Sequence, residues 1–221
     1  MPGYMGSMLW VNLTTRKTCV EELPDGLLKK WIGGKGLGAW LLAERLPARA
    51  DPLGPENVIA FLTGPANGTL IPGSSRLACV FKSPLTGIWG ESYCGGHLAP
   101  ELKGAGFDAI AITGRAEEPV MLVVDDGRAE IRSAKHLWGL DTFETEDAIK
   151  DELGKDFQVA CIGPAGENLV RFACVCHARG RQFGRCGAGA VMGSKRLKAI
   201  AIRGTKQVKI ARPEEVEELA K

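Results

Sequence analysis

Gly180-Arg181-Gln182-Phe183-Gly184-Arg185-Cys186-Gly187-Ala188-Gly189-Ala190-Val191-Met192-Gly193-Ser194-Lys195 holds five glycines and three cations in sixteen residues. Glycine lets a backbone approach a ligand closely and visit positive φ. Arg181 and Arg185 carry forked guanidiniums that grip phosphate oxygens in a way lysine cannot copy. The apolar residues after Gly187 open a helix whose N-terminal amides favour an anion. The stretch therefore reads as an anion-binding loop. A mobile, glycine-rich surface loop with solvated charges is the alternative.

Working outward, the chain repeats itself. One copy runs Gly163-Pro164-Ala165, Arg171-Phe172-Ala173-Cys174-Val175, Cys186-Gly187-Ala188-Gly189, then Ala199-Ile200-Ala201-Ile202 and Gly204. An earlier copy runs Gly64-Pro65-Ala66, Arg76-Leu77-Ala78-Cys79-Val80, Cys94-Gly95-Gly96, then Ala109-Ile110-Ala111-Ile112 and Gly114. Order and polarity agree, while loop lengths differ. An internal duplication with a pseudo-two-fold axis follows. It pairs the opening loop with Ser74-Ser75-Arg76 and Tyr93-Cys94-Gly95-Gly96, and makes Cys94 the counterpart of Cys186. Two such loops suit a two-fold ligand, or two copies of one anion.

The remaining elements are read from pattern. Met8–Leu13 and Thr18–Leu23 form a hairpin, and a helix carries Leu27, Leu28 and Trp31. Gly33–Gly38 has the composition of a phosphate loop, but no strand feeds it, which favours a helix–helix corner. Val58–Leu62 is a buried strand, and Val120–Val124 pairs with Ala129–Ile131 around Asp125-Asp126-Gly127-Arg128. Asp141 and Glu144 have the spacing of a capping box, with Gly154 closing the helix. Arg171–Val175 reads as a strand. Pro213–Ala220 starts a helix.

The 221 residues are 45% hydrophobic and 24% charged, enough to bury a core. A net charge of +2 with no basic run argues against nucleic-acid binding. Seven scattered cysteines without a C-x-x-C pair exclude a zinc ribbon or a local iron–sulfur run, and reduced thiols point to the cytoplasm. No signal-peptide pattern and no membrane-spanning apolar run are present.

Val11-Asn12-Leu13-Thr14, Lys82-Ser83-Pro84-Leu85-Thr86-Gly87, Glu101-Leu102-Lys103, Ile162–Val170 and Gly187–Lys195 together carry a resemblance. The chain resembles the N-terminal domain of the aldehyde ferredoxin oxidoreductases over nearly its whole length. The resemblance implies an α+β fold of two β-sheets with flanking helices, forming a base for a tungsten or molybdenum bis-pterin whose phosphates are bridged by Mg. It assigns Arg76, Tyr93 and Gly95 to one pterin loop, and Arg181, Gln182, Gly184 and Arg185 to the other. Asn is frequent in the family where Tyr93 stands, a change that matters only if the side chain is used. Residues 1–210 form the pterin-binding domain, and 211–221 begin a following helical domain.

A polyanionic cofactor needs paired arginines and exposed amides, and the chemistry then resides on the metal. No catalytic residue and no protein metal ligand is therefore assigned here. The resemblance places the 4Fe-4S cysteines and the proton-handling residues in later domains. It implies ferredoxin as electron acceptor, the rest of the enzyme as partner, a homo-oligomer, and no nucleic acid or membrane. The isolated chain is expected to be inactive, and a free-standing metal-pterin module is the alternative. Cys94, Cys186, Cys174 and Cys176 read as packing residues. His97 reads as a helix-start residue that could instead donate to a cofactor oxygen. His136 and His177 lack a partner motif, and Glu91 is isolated.

Overall fold

Along an extended strand, neighbouring side chains face opposite sides. Ala109-Ile110-Ala111-Ile112 and Ala199-Ile200-Ala201-Ile202 exploit this in the same way. All four isoleucines enter one large core, and all four alanines turn outward under helices. Two sheets therefore lie face to face, each with its own helical cover.

The computed structural model describes residues 1–221. The first sheet contains β1 (Ser7–Asn12), β2 (Lys17–Glu22), β3 (Ile59–Leu62), β4 (Leu77–Lys82), β5 (Trp89–Cys94) and β6 (Ala109–Thr113), in the order β2-β1-β6-β3-β4-β5. The second contains β7 (Val120–Asp125), β8 (Arg128–Ser133), β9 (Gln158–Cys161), β10 (Val175–His177), β11 (Arg181–Phe183) and β12 (Leu197–Arg203), in the order β11-β10-β9-β12-β7-β8. Adding six to each strand number converts one order into the other. The senses match as well: β1–β6 and β7–β12 are parallel, and every other pair is antiparallel.

The outer face of the first sheet is covered by α1 (Asp25–Trp31) and α2 (Gly34–Arg45), which bury Leu28, Leu37 and Leu41 against Met8, Val80 and the outward alanines. The second sheet is covered by α4 (Thr142–Leu153) through Ile149. Two short helices, α3 (Leu98–Gly104) and α6 (Ala188–Ser194), contribute Leu98, Leu102, Val191 and Met192 to the shared core. One turn, α5 (Pro164–Glu167), and a terminal helix, α7 (Pro213–Ala220), complete the chain, and α7 buries none of its residues. No helix is long and apolar enough to cross a membrane.

Local chemistry explains several boundaries. Asp141 accepts from the Phe143 and Glu144 amides, while Glu144 accepts from Asp141, a complete capping box. Asp126 and Gly127 both take positive φ in the two-residue β7–β8 turn. The Gly33 region is the helix–helix corner that its sequence suggests: α1 ends at Trp31 and α2 begins at Gly34.

Two expectations need correction. Arg171–Cys174 is not strand, which begins only at Val175. The duplicated segments are also offset from their sequence match. Leu62 and Cys161 hold the same place opposite Ala109 and Ala199, and they pair with Ala78 and Cys176. Arg76 therefore corresponds to Cys174, not Arg171. Leu77 pairs with Cys94 and Val175 with Phe183, so Cys94 corresponds to Phe183, not Cys186. Backbone register, rather than residue identity, decides the correspondence.

Candidate functional site

The edge strands β5 and β11 bring the two predicted loops together. A Cβ on Gly95 would lie 3.1 Å from Arg181 Nη1, and one on Gly96 would lie 2.8 Å from Arg181 Cδ. The Arg185 amide donates to Ser92 Oγ of β5 at 3.2 Å. Further along, Ser83 Oγ donates to the Cys186 carbonyl at 2.7 Å while accepting from the Leu85 and Thr86 amides. Ser83 thus ties the β4–β5 turn to the second loop. Behind Arg76, the buried Asn67 donates to the Arg76 carbonyl and accepts from the Gly64 amide at 2.5 Å, fixing the approach to β4.

Arg76, Arg181 and Arg185 are exposed, and none enters an ion pair. Arg76 and Arg181 both act on the buried Cys94. Burial pushes its thiol up to about 11, against the pull of these two guanidiniums. Cys94 is therefore a neutral packing thiol between two cations. Arg76, Gly95 and Arg181 converge there, with Arg185 held alongside through Ser92.

Tyr93 and Gln182 occupy matched ladder positions, and Gly95 and Gly184 lie two residues beyond them, just past the ends of β5 and β11. Tyr93 and Glu91 are both opposite residues of the outward β4 face, Ala78 and Val80. Burial, then the Glu91 charge, raise the Tyr93 phenol. Glu91 accepts from Trp89 Nε1 at 3.1 Å and faces Lys35 at 3.7 Å, so it is less isolated than its sequence suggests.

The helix-terminus reading of the second loop does not hold. Every residue of α6 is buried, and the Gly189 amide is taken by the Ala173 carbonyl at 2.9 Å. Guanidiniums and loop backbone, not α6, face solvent. His97 is exposed just before α3 and makes no side-chain cap. Cys174 and Cys176 place their sulfurs 3.8 Å apart, and a hydrogen bond from Cys176 would hold the Cys174 thiol below its ordinary value.

Sequence reasoning missed what the strongest motifs do. Glu101 accepts from the Gly204 amide, and Lys103 pairs with Asp108 in full burial. Glu167 binds Lys198 and accepts from the Gly139 amide. Lys195 reaches the carbonyls of Pro55 and Gly114. These side chains clasp distant segments together, so the motifs mark the scaffold more than the face that carries the predicted loops. That face is open: none of the seven assigned residues lines the five principal clefts, including one of about 440 Å³ between Arg128, Glu152 and Arg203.

Residues 8–204 match the family model described as aldehyde ferredoxin oxidoreductase, N-terminal domain. The chain is 49% identical over 212 residues to a tungsten-containing aldehyde ferredoxin oxidoreductase of Thermococcus kodakarensis, covering 96% of this chain and 35% of that protein. It is 38% identical to the aliphatic sulfonate oxidoreductase, WOR-like subunit, of Pyrococcus furiosus, over 93% of this chain and 35% of the relative. Among solved structures, the active-site complex BamBC of benzoyl coenzyme A reductase with 1,5-dienoyl-CoA aligns at TM-score 0.96 and 39% identity, covering 99% of this chain and 34% of the other. The chain spans about a third of the length of these proteins.

Proposed function

The chain belongs to the aldehyde ferredoxin oxidoreductase family, and on that premise we propose that it is the cofactor-binding portion of a tungsten- or molybdenum-pterin oxidoreductase that converts aldehydes to carboxylic acids. The observation that carries this reading is the convergence of unpaired guanidiniums from both halves, Arg76 and Arg181, beside Cys94 and Gly95. That donor set suits a polyanion with phosphates at more than one point. Charge-assisted hydrogen bonds contribute on the order of 1.5–3 kcal/mol each.

Arg76, Tyr93 and Gly95 hold one pterin, and Arg181, Gln182, Gly184 and Arg185 hold the other. A magnesium ion would accompany the two pterins; no group of three His, Cys, Asp or Glu side chains is placed to hold a metal, so oxygen donors other than a carboxylate cluster would bind it. When bound, the metal–pterin would supply the two-electron redox chemistry, and a 4Fe-4S cluster elsewhere in the enzyme and ferredoxin would serve as the electron acceptors. This chain binds and orients the cofactor, and none of its side chains is assigned a chemical step. The open face is closed by the rest of the polypeptide, residues 1–210 being the domain and α7 the start of the next. Alone, the chain is inactive.

The test uses the full-length enzyme. Arg76→Ala and Arg185→Ala should each lower pterin retention about tenfold or more, read as oxidised pterin fluorescence per protein. Unchanged retention in both refutes the loop assignment. A native enzyme free of tungsten and molybdenum after metal-replete growth refutes the metal.

A further inference from the structure

His177 lies in β10, 1% exposed, and its two ring nitrogens reach into both halves of the molecule. Nδ1 is 2.9 Å from the Val159 carbonyl of the second sheet. Nε2 accepts from the backbone amide of His97, in the first-half loop, at 3.2 Å. A ring nitrogen that accepts carries no proton, so the proton resides on Nδ1 and is donated to Val159. The imidazole is therefore neutral and both of its polar atoms are used.

The surroundings are tight. Gly96 has φ of +100°, and a Cβ there would lie 2.7 Å from Nε2. Only a residue without a side chain lets the loop sit on the ring. Arg181 is the cross-strand partner of His177 and touches the same glycine loop. Val175, two residues away on the same face, packs in the shared core, so the ring points inward between the sheets.

We propose that His177 is the positioning residue that sets the spacing between the two cofactor loops, holding Gly95-Gly96-His97 against Arg181. The proposal rests on the cofactor reading above and adds to it how the two half-sites are kept in register. Protonation would put an N–H against the His97 N–H and a cation beside Arg181. Burial lowers the His177 pKa below its ordinary 6.5. Glu146 of α4 opposes that shift, while Lys150 of α4 and His97 reinforce it. The clasp is complete above pH 6.5 and is lost as pH falls below that value toward the lowered pKa.

Amide hydrogen exchange of the full chain, corrected for the intrinsic pH dependence, tests it without cofactor. His177→Asn keeps a donor near Val159 but loses the acceptor for His97, so His97 protection should drop about 3- to 10-fold. His177→Gln places an acceptor near the Nε2 position and should restore it. In the wild type the protection should fall as pH drops below 6.5, and in His177→Gln it should stay flat. Unchanged protection in His177→Asn, or a pH profile that His177→Gln shares, overturns the proposal. In the full-length enzyme, pterin retention should fall in His177→Asn and recover in His177→Gln. Retention that falls in the arginine variants but not in His177→Asn overturns the positioning role alone. Retention unmoved by the arginine variants overturns the cofactor reading, while the His97 exchange still reports on the clasp.

Discussion

The two halves share one strand order and one pattern of inward isoleucine, yet they hold their buried charges with opposite sign. Asp108 sits immediately before Ala109, and Lys198 immediately before Ala199. Asp108 is buried, accepts from the Met5 and Gly6 amides, and binds Lys103. Lys198 is buried, donates to the Leu140 carbonyl, and binds Glu167. At one place in the fold an ionic clasp anchors a distant segment, and either sign serves if the pair is complete. The predicted loops differ more deeply. The first half supplies Arg76 from the approach to β4, and the second supplies Arg181 and Arg185 from β11 and the loop after it. The scaffold is symmetric and its cations are not.

The largest test of that comparison removes one member of each clasp. Asp108→Ala and Lys198→Ala should each cost about 3–5 kcal/mol, because an unpaired buried charge remains. Denaturant unfolding would show it, and a cost confined to one half would break the equivalence. Next is Lys195, which stands where the first half has Ala105. Burial lowers its pKa to about 7 from 10.5. Between those values the unfolded chain binds the extra proton, so stability rises with pH, by at most about 1.4 kcal/mol per unit. Lys195→Met should flatten this rise between pH 7 and 10, and an unchanged slope would place its origin elsewhere. The smallest effect is Asp141→Ala, expected to cost about 1 kcal/mol in a thermal melt. The first half has no equivalent, since Gly33 before α2 offers no side-chain cap.

Much of the fold is legible in single stretches. The Ala-Ile alternation, the Asp126-Gly127 turn, and the Asp141 and Glu144 box each state their geometry locally. The duplication is legible only in part. Met8-Leu9-Trp10-Val11-Asn12 and Met121-Leu122-Val123-Val124-Asp125 occupy matched strands, so the repeat starts well before Gly64. Four residues separate β1 from β2 and two separate β7 from β8, which hides the match along the chain. Arg171 resembled the partner of Arg76 by identity, but ladder hydrogen bonds set the register three residues away. Of the site, the glycines and arginines stand out in sequence because their chemistry is unusual. His177 does not, because a lone histidine reveals its partners only when Val159 and His97 arrive from elsewhere.

The shared core carries a consequence for how the molecule melts. Leu9, Phe61 and Ile110 of one sheet pack in the same cluster as Leu122, Phe183 and Ile200 of the other. Neither copy owns a complete interior, so neither is an autonomous folding unit despite its repeated topology. Loosening one sheet wets the inner face of its twin, and opening is therefore concerted across the two copies.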